Sequence, residues 1–147
     1  MRALVDLNVV LDVLLDRAPH ADAAAALWAA VERRELEGAL AAHAVTTLHC
    51  LSVRARGRVF GERCVRDVLS VFGVAPVTAD VCQQALTLGG ADFEDAVSSA
   101  AAVAAGCDVI IARDATGFRG APLRVLEPAT ALAVLRATRM GKDVSGP

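Results

Sequence analysis

Tyrosine is absent from this chain, and aromatic residues amount to only 3% of it, one tryptophan and four phenylalanines. Few rings are therefore available as platforms for stacking single-stranded bases. Lysine is almost missing as well: the single copy is Lys142, near the end. Chemistry that relies on a lysine beside the last strand of an α/β sheet has none to use. No uninterrupted stretch approaches the ~20 apolar residues of a membrane span, although hydrophobic residues make up 55% of the chain. The opening, Met1-Arg2-Ala3-Leu4-Val5-Asp6, lacks the longer apolar core of a signal peptide, so a cytoplasmic location is expected.

Metal and redox signatures based on sulfur or imidazole are also lacking. Cys50, Cys64, Cys82 and Cys107 form no C-x-x-C pair, and each lies in an apolar stretch. They are expected to be reduced core residues. His20, His43 and His49 have no zinc-ligand spacing with them. No G-x-G-x-x-G follows the first strand, and Gly141-Lys142 has no upstream glycine at P-loop spacing. Net charge is −2, so the chain as a whole does not attract nucleic acid. Basic charge is nevertheless concentrated once, at Arg54, Arg56, Arg58, Arg63 and Arg66. That cluster reads either as a solvated helix surface or as a guide for an RNA backbone.

What the chain does have is acid at chosen places. Asp92-Phe93-Glu94-Asp95 opens a run of small and apolar residues through Ala105. Such a run predicts a helix buried on most sides and packed close to a sheet. Asp92 and Asp95 share nearly one helical face, roughly 4.5 Å apart along the axis. Gly89-Gly90 break the previous helix. Taken alone, the acids suit a helix start: Asp92 is a good N-cap, and Asp95 sits where the acid of a capping box sits. A functional reading requires other acids to converge on the same place.

The rest of the chain alternates strand and helix. Arg2 to Asp6 is a first strand, and Val9 to Leu15 a buried helix containing Asp12. A helix from Asp22 to about Glu37 buries Ala24, Leu27, Trp28 and Val31. Ala39 to Ala42 is a weak strand. The helix from about Ala44 to Arg56 carries a stripe of Ala44, Leu48, Leu51 and Ala55, and Gly57 and Gly61 bracket a break. A helix from Glu62 to Phe72 buries Val65, Val68, Leu69 and Phe72. A strand over Gly73 to Val77 and a helix capped by Thr78 or Asp80 lead to the Asp92 helix. Cys107 to Ala112 is the clearest strand, with Asp114 just beyond it. A short strand, Leu123 to Leu126, precedes a last helix from Pro128 to about Arg139. Unbroken apolar strands alternating with helices mean a parallel sheet covered on both faces. The expectation is one three-layer α/β/α domain over residues 1–139, with a parallel sheet of about five strands, and a flexible tail over 140–147.

In open parallel sheets, ligands bind beyond the carboxyl ends of the strands. Asp6 and Asp114 follow two such strands, and Asp92 and Asp95 start the helix that leads into the second. Converging carboxylates cannot all stay ionised without a partner. Oxygen-only donors with no histidine or cysteine nearby favour Mg²⁺ or Mn²⁺ over zinc.

Three segments then resemble the PIN domain family, in the right order. Val5-Asp6-Leu7-Asn8-Val9-Val10-Leu11-Asp12 looks like its opening, and Asp92-Phe93-Glu94-Asp95-Ala96-Val97 like its central acidic helix start. Ile110-Ile111-Ala112-Arg113-Asp114 with Gly117-Phe118 is similar to its late strand and acidic loop. The resemblance runs from residue 2 to about 136. It implies a metal-dependent endoribonuclease, commonly the toxin of a VapBC-type toxin–antitoxin pair, leaving 5′-phosphate and 3′-hydroxyl ends. Asp6 and Asp95 would be the main metal ligands, with Asp114 and Asp92 beside them and Asn8 bracing Asp6. A homodimer and an antitoxin partner are also implied.

One position departs from the pattern. The family usually carries a glutamate early in its third helix, where this chain has Thr47. Either metal affinity is weaker there, or Asp92 or Glu94 takes the role. The alternative is a catalytically impaired PIN-like module that binds RNA or protein. Phosphoacceptor receiver domains and haloacid-dehalogenase-type phosphatases, also α/β with acids at strand ends, fail for want of the lysine. With so few aromatics, an RNA substrate is expected to be recognised by folded shape rather than by stacking.

Overall fold

The computed structural model describes residues 1–89 and 92–143. Gly90, expected to help end a helix, and residues 144–147 of the expected tail lie outside the described residues. The strands are β1 (Arg2–Val5), β2 (Glu37–Ala41), β3 (Gly73–Ala75), β4 (Val109–Ile111) and β5 (Arg124–Leu126). The helices are α1 (Leu7–Leu14), α2 (Ala21–Glu32), α3 (Ala42–Arg56), α4 (Arg58–Val71), α5 (Ala79–Thr87), α6 (Phe93–Ala104) and α7 (Pro128–Asp143). The last helix runs past Arg139, where the sequence pattern weakens.

All strands are parallel, in the order β3-β2-β1-β4-β5. The first strand is thus central, and it pairs with β4 through Ala3↔Val109, Leu4↔Ile110 and Val5↔Ile111. Strand alternation divides the core. Ala3, Val5, Val109 and Ile111 face one cluster with Val10, Leu27, Leu48, Val68 and Leu135. Leu4 and Ile110 face another with Val81, Val97, Ala101 and Phe118. The sheet is therefore covered on both sides, as its apolar strands require.

Helix α6 has the longest buried stretch of any helix among the described residues. Every residue from Ala96 to Ala102 is buried. Only alanine, serine and one valine occupy that stretch, which lets the helix axis approach the sheet closely. Its first turn, by contrast, is open: Phe93 and Glu94 are exposed and Asp95 is half-buried.

The α3–α4 hairpin departs from the sequence pattern. Helix α4 begins at Arg58, so Gly57, with φ of 87°, is the break, and Gly61 lies inside the helix. A Cβ at Gly61 would meet Val53 Cγ2 at 2.5 Å and the His49 carbonyl oxygen at 3.3 Å, so this glycine lets the two helices touch. Of the expected α3 stripe, Ala44 and Leu48 are buried and Leu51 partly so, but at its end Ser52 is fully buried and Ala55 is exposed. Leu69 is exposed on α4, and Cys50 is exposed rather than in the core. All four cysteines are free thiols, with Cys64 and Cys107 buried.

The Ser52 hydroxyl is buried without a hydrogen-bond partner among the described residues. Ser52→Ala removes that unmet group at almost constant volume. It is expected to stabilise the protein by about 1 kcal/mol, read as a higher melting temperature.

Candidate metal and phosphodiester site

The acids meet where β1 and β4 end side by side. Asp6 continues the ladder by donating its amide to the Ile111 carbonyl at 2.8 Å. The chain then turns into α1, and the Asp6 carboxylate caps that helix, accepting from the Asn8 amide at 3.1 Å. Asp114, beyond β4, caps the short 3₁₀ turn Ala115–Phe118 by accepting from the Thr116 amide at 2.8 Å. Asp92 caps α6 in the same way, accepting from the Glu94 amide at 2.8 Å. Three acids thus do the capping work expected of isolated ones, and they still gather around Asp95. Capping fixes their carboxylates near the ends of elements that all open on one side of the sheet.

A cleft of about 220 Å³ is lined by Asp6, Asn8, Asp95, Arg113, Asp114, Thr116, Gly117 and Phe118. Residues 6 and 95, so far apart in sequence, share it. Gly117 faces Asp95 so closely that a Cβ there would collide with Asp95 Oδ2. A larger cavity, about 550 Å³, opens at the other end of the strands beside Arg2, Glu37 and Gly73. There Arg2 and Glu37 neutralise one another at 2.9 Å, and the acids are elsewhere.

Electrostatics register the crowding. The Asp95 carboxyl is pushed up from 3.8 to about 6, first by burial and then by Asp6, Asp92, Glu94 and Asp114. Burial also raises Asp6, against the opposing pull of the Asn8 and Leu7 amides and of Arg113. Asp114 moves the other way, because the Thr116 amide stabilises its charged form. The metal-free protein is therefore penalised for ionising Asp95. Between pH 3.8 and about 6 the folded state binds more protons at this residue than the unfolded chain does. Asp95 should thus make stability fall as pH rises through that window and level off above it. Urea denaturation of metal-free protein across this window tests it, and the decline should shrink in Asp95→Asn.

A second polar group lies between α3 and α6. Thr47 Oγ1 lies within hydrogen-bond distance of Glu94 Oε1, 3.4 Å, and of the His43 carbonyl, 3.3 Å. His43 Nε2 is 3.4 Å from Ser98 Oγ and 3.9 Å from Glu94 Oε1. The Glu94 carboxylate from α6 therefore reaches Thr47 on α3. Asp92 and Glu94 act on Asp95 through space but do not line the cleft.

None of the clustered arginines lines the acidic cleft. Arg54 and Arg56 are in the last turn of α3, so Arg56 is roughly 20 Å along the helix axis from His43. Arg58 pairs with Glu62 at 2.9 Å, Arg66 with Glu62 at 3.8 Å, and Arg63 with Asp67 at 4.0 Å. Arg56 also lies over the Phe60 ring at 4.9 Å.

Two residues of the site were not singled out from sequence. Asp12 is 1% exposed in the middle of α1, and its Oδ1 accepts from Arg113 Nη1 at 3.0 Å. Arg17 Nη1 is 3.8 Å from the same oxygen. Arg113, which precedes Asp114, thereby links the helix interior to the acidic cleft. The available signal was an acid one turn after Asn8 inside an apolar helix, facing inward where a surface acid would not be placed.

Among the described residues, no group of three or more His, Cys, Asp or Glu side chains is already gathered to hold a metal ion. In kind, the donors suit a hard cation: carboxylate oxygens in charge excess, with no sulfur or imidazole lining the cleft. Among the described residues, no helix is long and apolar enough to cross a membrane.

Comparison with known proteins gives the same architecture. A PIN domain model matches residues 2–116. VapBC2 from Rickettsia felis, solved with a promoter DNA fragment, superposes with a TM-score of 0.68 at 12% identity, covering 86% of this chain and 98% of that one. FitAcB from Neisseria gonorrhoeae gives 0.66 at 18% identity, covering 86% and 97%. VapC20 from Mycobacterium tuberculosis, a toxin that cleaves the sarcin–ricin loop, gives 0.64 at 22% identity, covering 77% and 90%. At these identities the structural matches carry the fold. No curated protein matches the sequence.

Proposed function

Because this chain belongs to the PIN domain family, whose model spans residues 2–116, we propose that it is a Mg²⁺- or Mn²⁺-dependent endoribonuclease, the toxin of a VapBC-type toxin–antitoxin pair. The observation that carries this reading is the shared cleft of Asp6, Asp95 and Asp114, with Asp95 held in the field of four other carboxylates. A site built for neutral ligands would not collect three carboxylates against one arginine.

Asp6, Asp95 and Asp114 would hold the cation, with Asp92 near the rim. A bound Mg²⁺ or Mn²⁺ would supply a water of lowered pKa and positive charge for the leaving oxygen. The chain's own parts fix the geometry. The Asn8 amide orients Asp6, and the Thr116 amide orients Asp114. Gly117 leaves room for the Asp95 carboxylate. Glu94, reaching Thr47, brings a carboxylate to the place where the family pattern has a glutamate. The arginines of α3 and α4 are exposed and offer a surface for an RNA backbone.

One observation favours a second reading, a catalytically impaired module that binds RNA or protein: Thr47 itself has no charge, and Glu94 stands 53% exposed in its stead. Calorimetry with Mn²⁺ separates the two. Saturable binding that disappears in Asp95→Asn supports the nuclease. No heat at millimolar metal supports the binding module. An antitoxin partner, as in the VapBC2 structure that shares this fold, belongs to the same proposal, and so does the homodimer that the family resemblance implies.

A further inference from the structure

Arg113 is the cationic residue among those lining the acidic cleft. Its position is set from behind. Asp12 is a carboxylate with 1% exposure, buried in the middle of α1, and a buried charge needs a partner. Arg113 Nη1 meets it at 3.0 Å, while Arg17 approaches only to 3.8 Å. Asn8 and Asp12 are four residues apart, so they present to the same side of α1. One places its side chain at the cleft and the other anchors the arginine that shares it.

The guanidinium is therefore pre-positioned. It has five N–H donors in a planar fork, and a single one is committed to Asp12 at hydrogen-bond length. Its side chain is 34% exposed, which leaves an open flank toward the cleft. A phosphodiester entering a pocket rimmed by Asp6, Asp95 and Asp114 meets like charge on most sides. An anchored arginine offers it a planar cation already desolvated on one side, which is the geometry phosphate oxygens accept.

We infer that Arg113, pinned by buried Asp12, is the residue that receives a phosphate of the RNA backbone in this cleft. Asp12 is a positioning residue for it. The inference rests on the RNA-cleaving reading above, and the test separates the two.

The probe is a fluorescein-labelled RNA hairpin, bound to protein carrying Asp95→Asn so that it is not cut. Loss of Arg113 alone would strand the Asp12 charge, so the Arg113→Gln protein also carries Asp12→Asn. It is compared with a protein that keeps both residues and with Asp12→Asn alone, which retains Arg113 without its anchor and should bind between the two. Binding is followed by anisotropy over a series of KCl concentrations, with melting temperatures as the control for folding. Removing Arg113 is expected to lower the slope of log K against log[salt] by about 0.9 and to weaken binding on the order of tenfold. Melting temperatures of the two Asp12→Asn proteins should agree. A merely structural arginine would leave the salt slope unchanged, and that result overturns the inference while the RNA-binding reading stands. If the protein that keeps both residues does not bind the hairpin, the RNA reading falls and this inference with it.

Discussion

RNA cleavage in Mn²⁺ is expected to fall at least about a hundredfold in Asp95→Asn, the equivalent of about 3 kcal/mol of transition-state stabilisation. The substitution preserves shape and removes only charge. Asp95 is where the other four acids act together, and asparagine there leaves a cation with weaker donors. Asp6→Asn should behave alike, since Asp6 lines the same cleft. Gly117→Ala is a sharper test of geometry because it touches no charge. Its Cβ would collide with Asp95 Oδ2 and come within 3.2 Å of Cγ, so the carboxylate must turn away or the loop must shift. Displacing a catalytic group by about 1 Å costs on the order of a hundredfold. Cleavage should therefore drop with little change in melting temperature, because only the end of one side chain must move. Wild-type cleavage in all three variants would exclude the proposed site.

The largest stability effect is expected at the pair behind the cleft, and it should be asymmetric. Arg113→Ala leaves the Asp12 carboxylate buried with Arg17, beyond hydrogen-bond length at 3.8 Å, as its cationic neighbour among the described residues. An orphaned buried charge costs about 3 kcal/mol or more. Asp12→Asn leaves the opposite partner unpaired, but Arg113 is 34% exposed and can take up water. That change should cost roughly 1 kcal/mol, near the value of one hydrogen bond. Denaturant melts of the two variants at neutral pH measure the difference. Equal losses would mean that the pair is not organised around a buried carboxylate.

The architecture was readable from residue pattern because strands and helices carried different periods. Unbroken apolar strands such as Val109-Ile110-Ile111 could only belong to a sheet covered on both faces, and the structure has five parallel strands between helices. Asp6, Asp95 and Asp114 were legible for a related reason: each follows a strand or opens a helix, where chain direction places side chains at one edge of the sheet. The α3–α4 contact was not legible. Ala55 and Leu69 fit an inward stripe by spacing, yet both are exposed while Ser52 is buried, and Gly61 lets the two helices touch. A hydrophobic stripe gives the width of a helix face, while its partner chooses the angle.

By itself, the order of residues determined the sheet, its two-sided covering and the ends at which acids stand, because these follow from periodicity and chain direction. Only tertiary structure decided which acid bears the crowding, that Glu94 reaches Thr47, and that Asp12 holds Arg113 at the cleft. Those are distances between side chains brought together by crossovers of up to a hundred residues, and no local pattern in the chain encodes them.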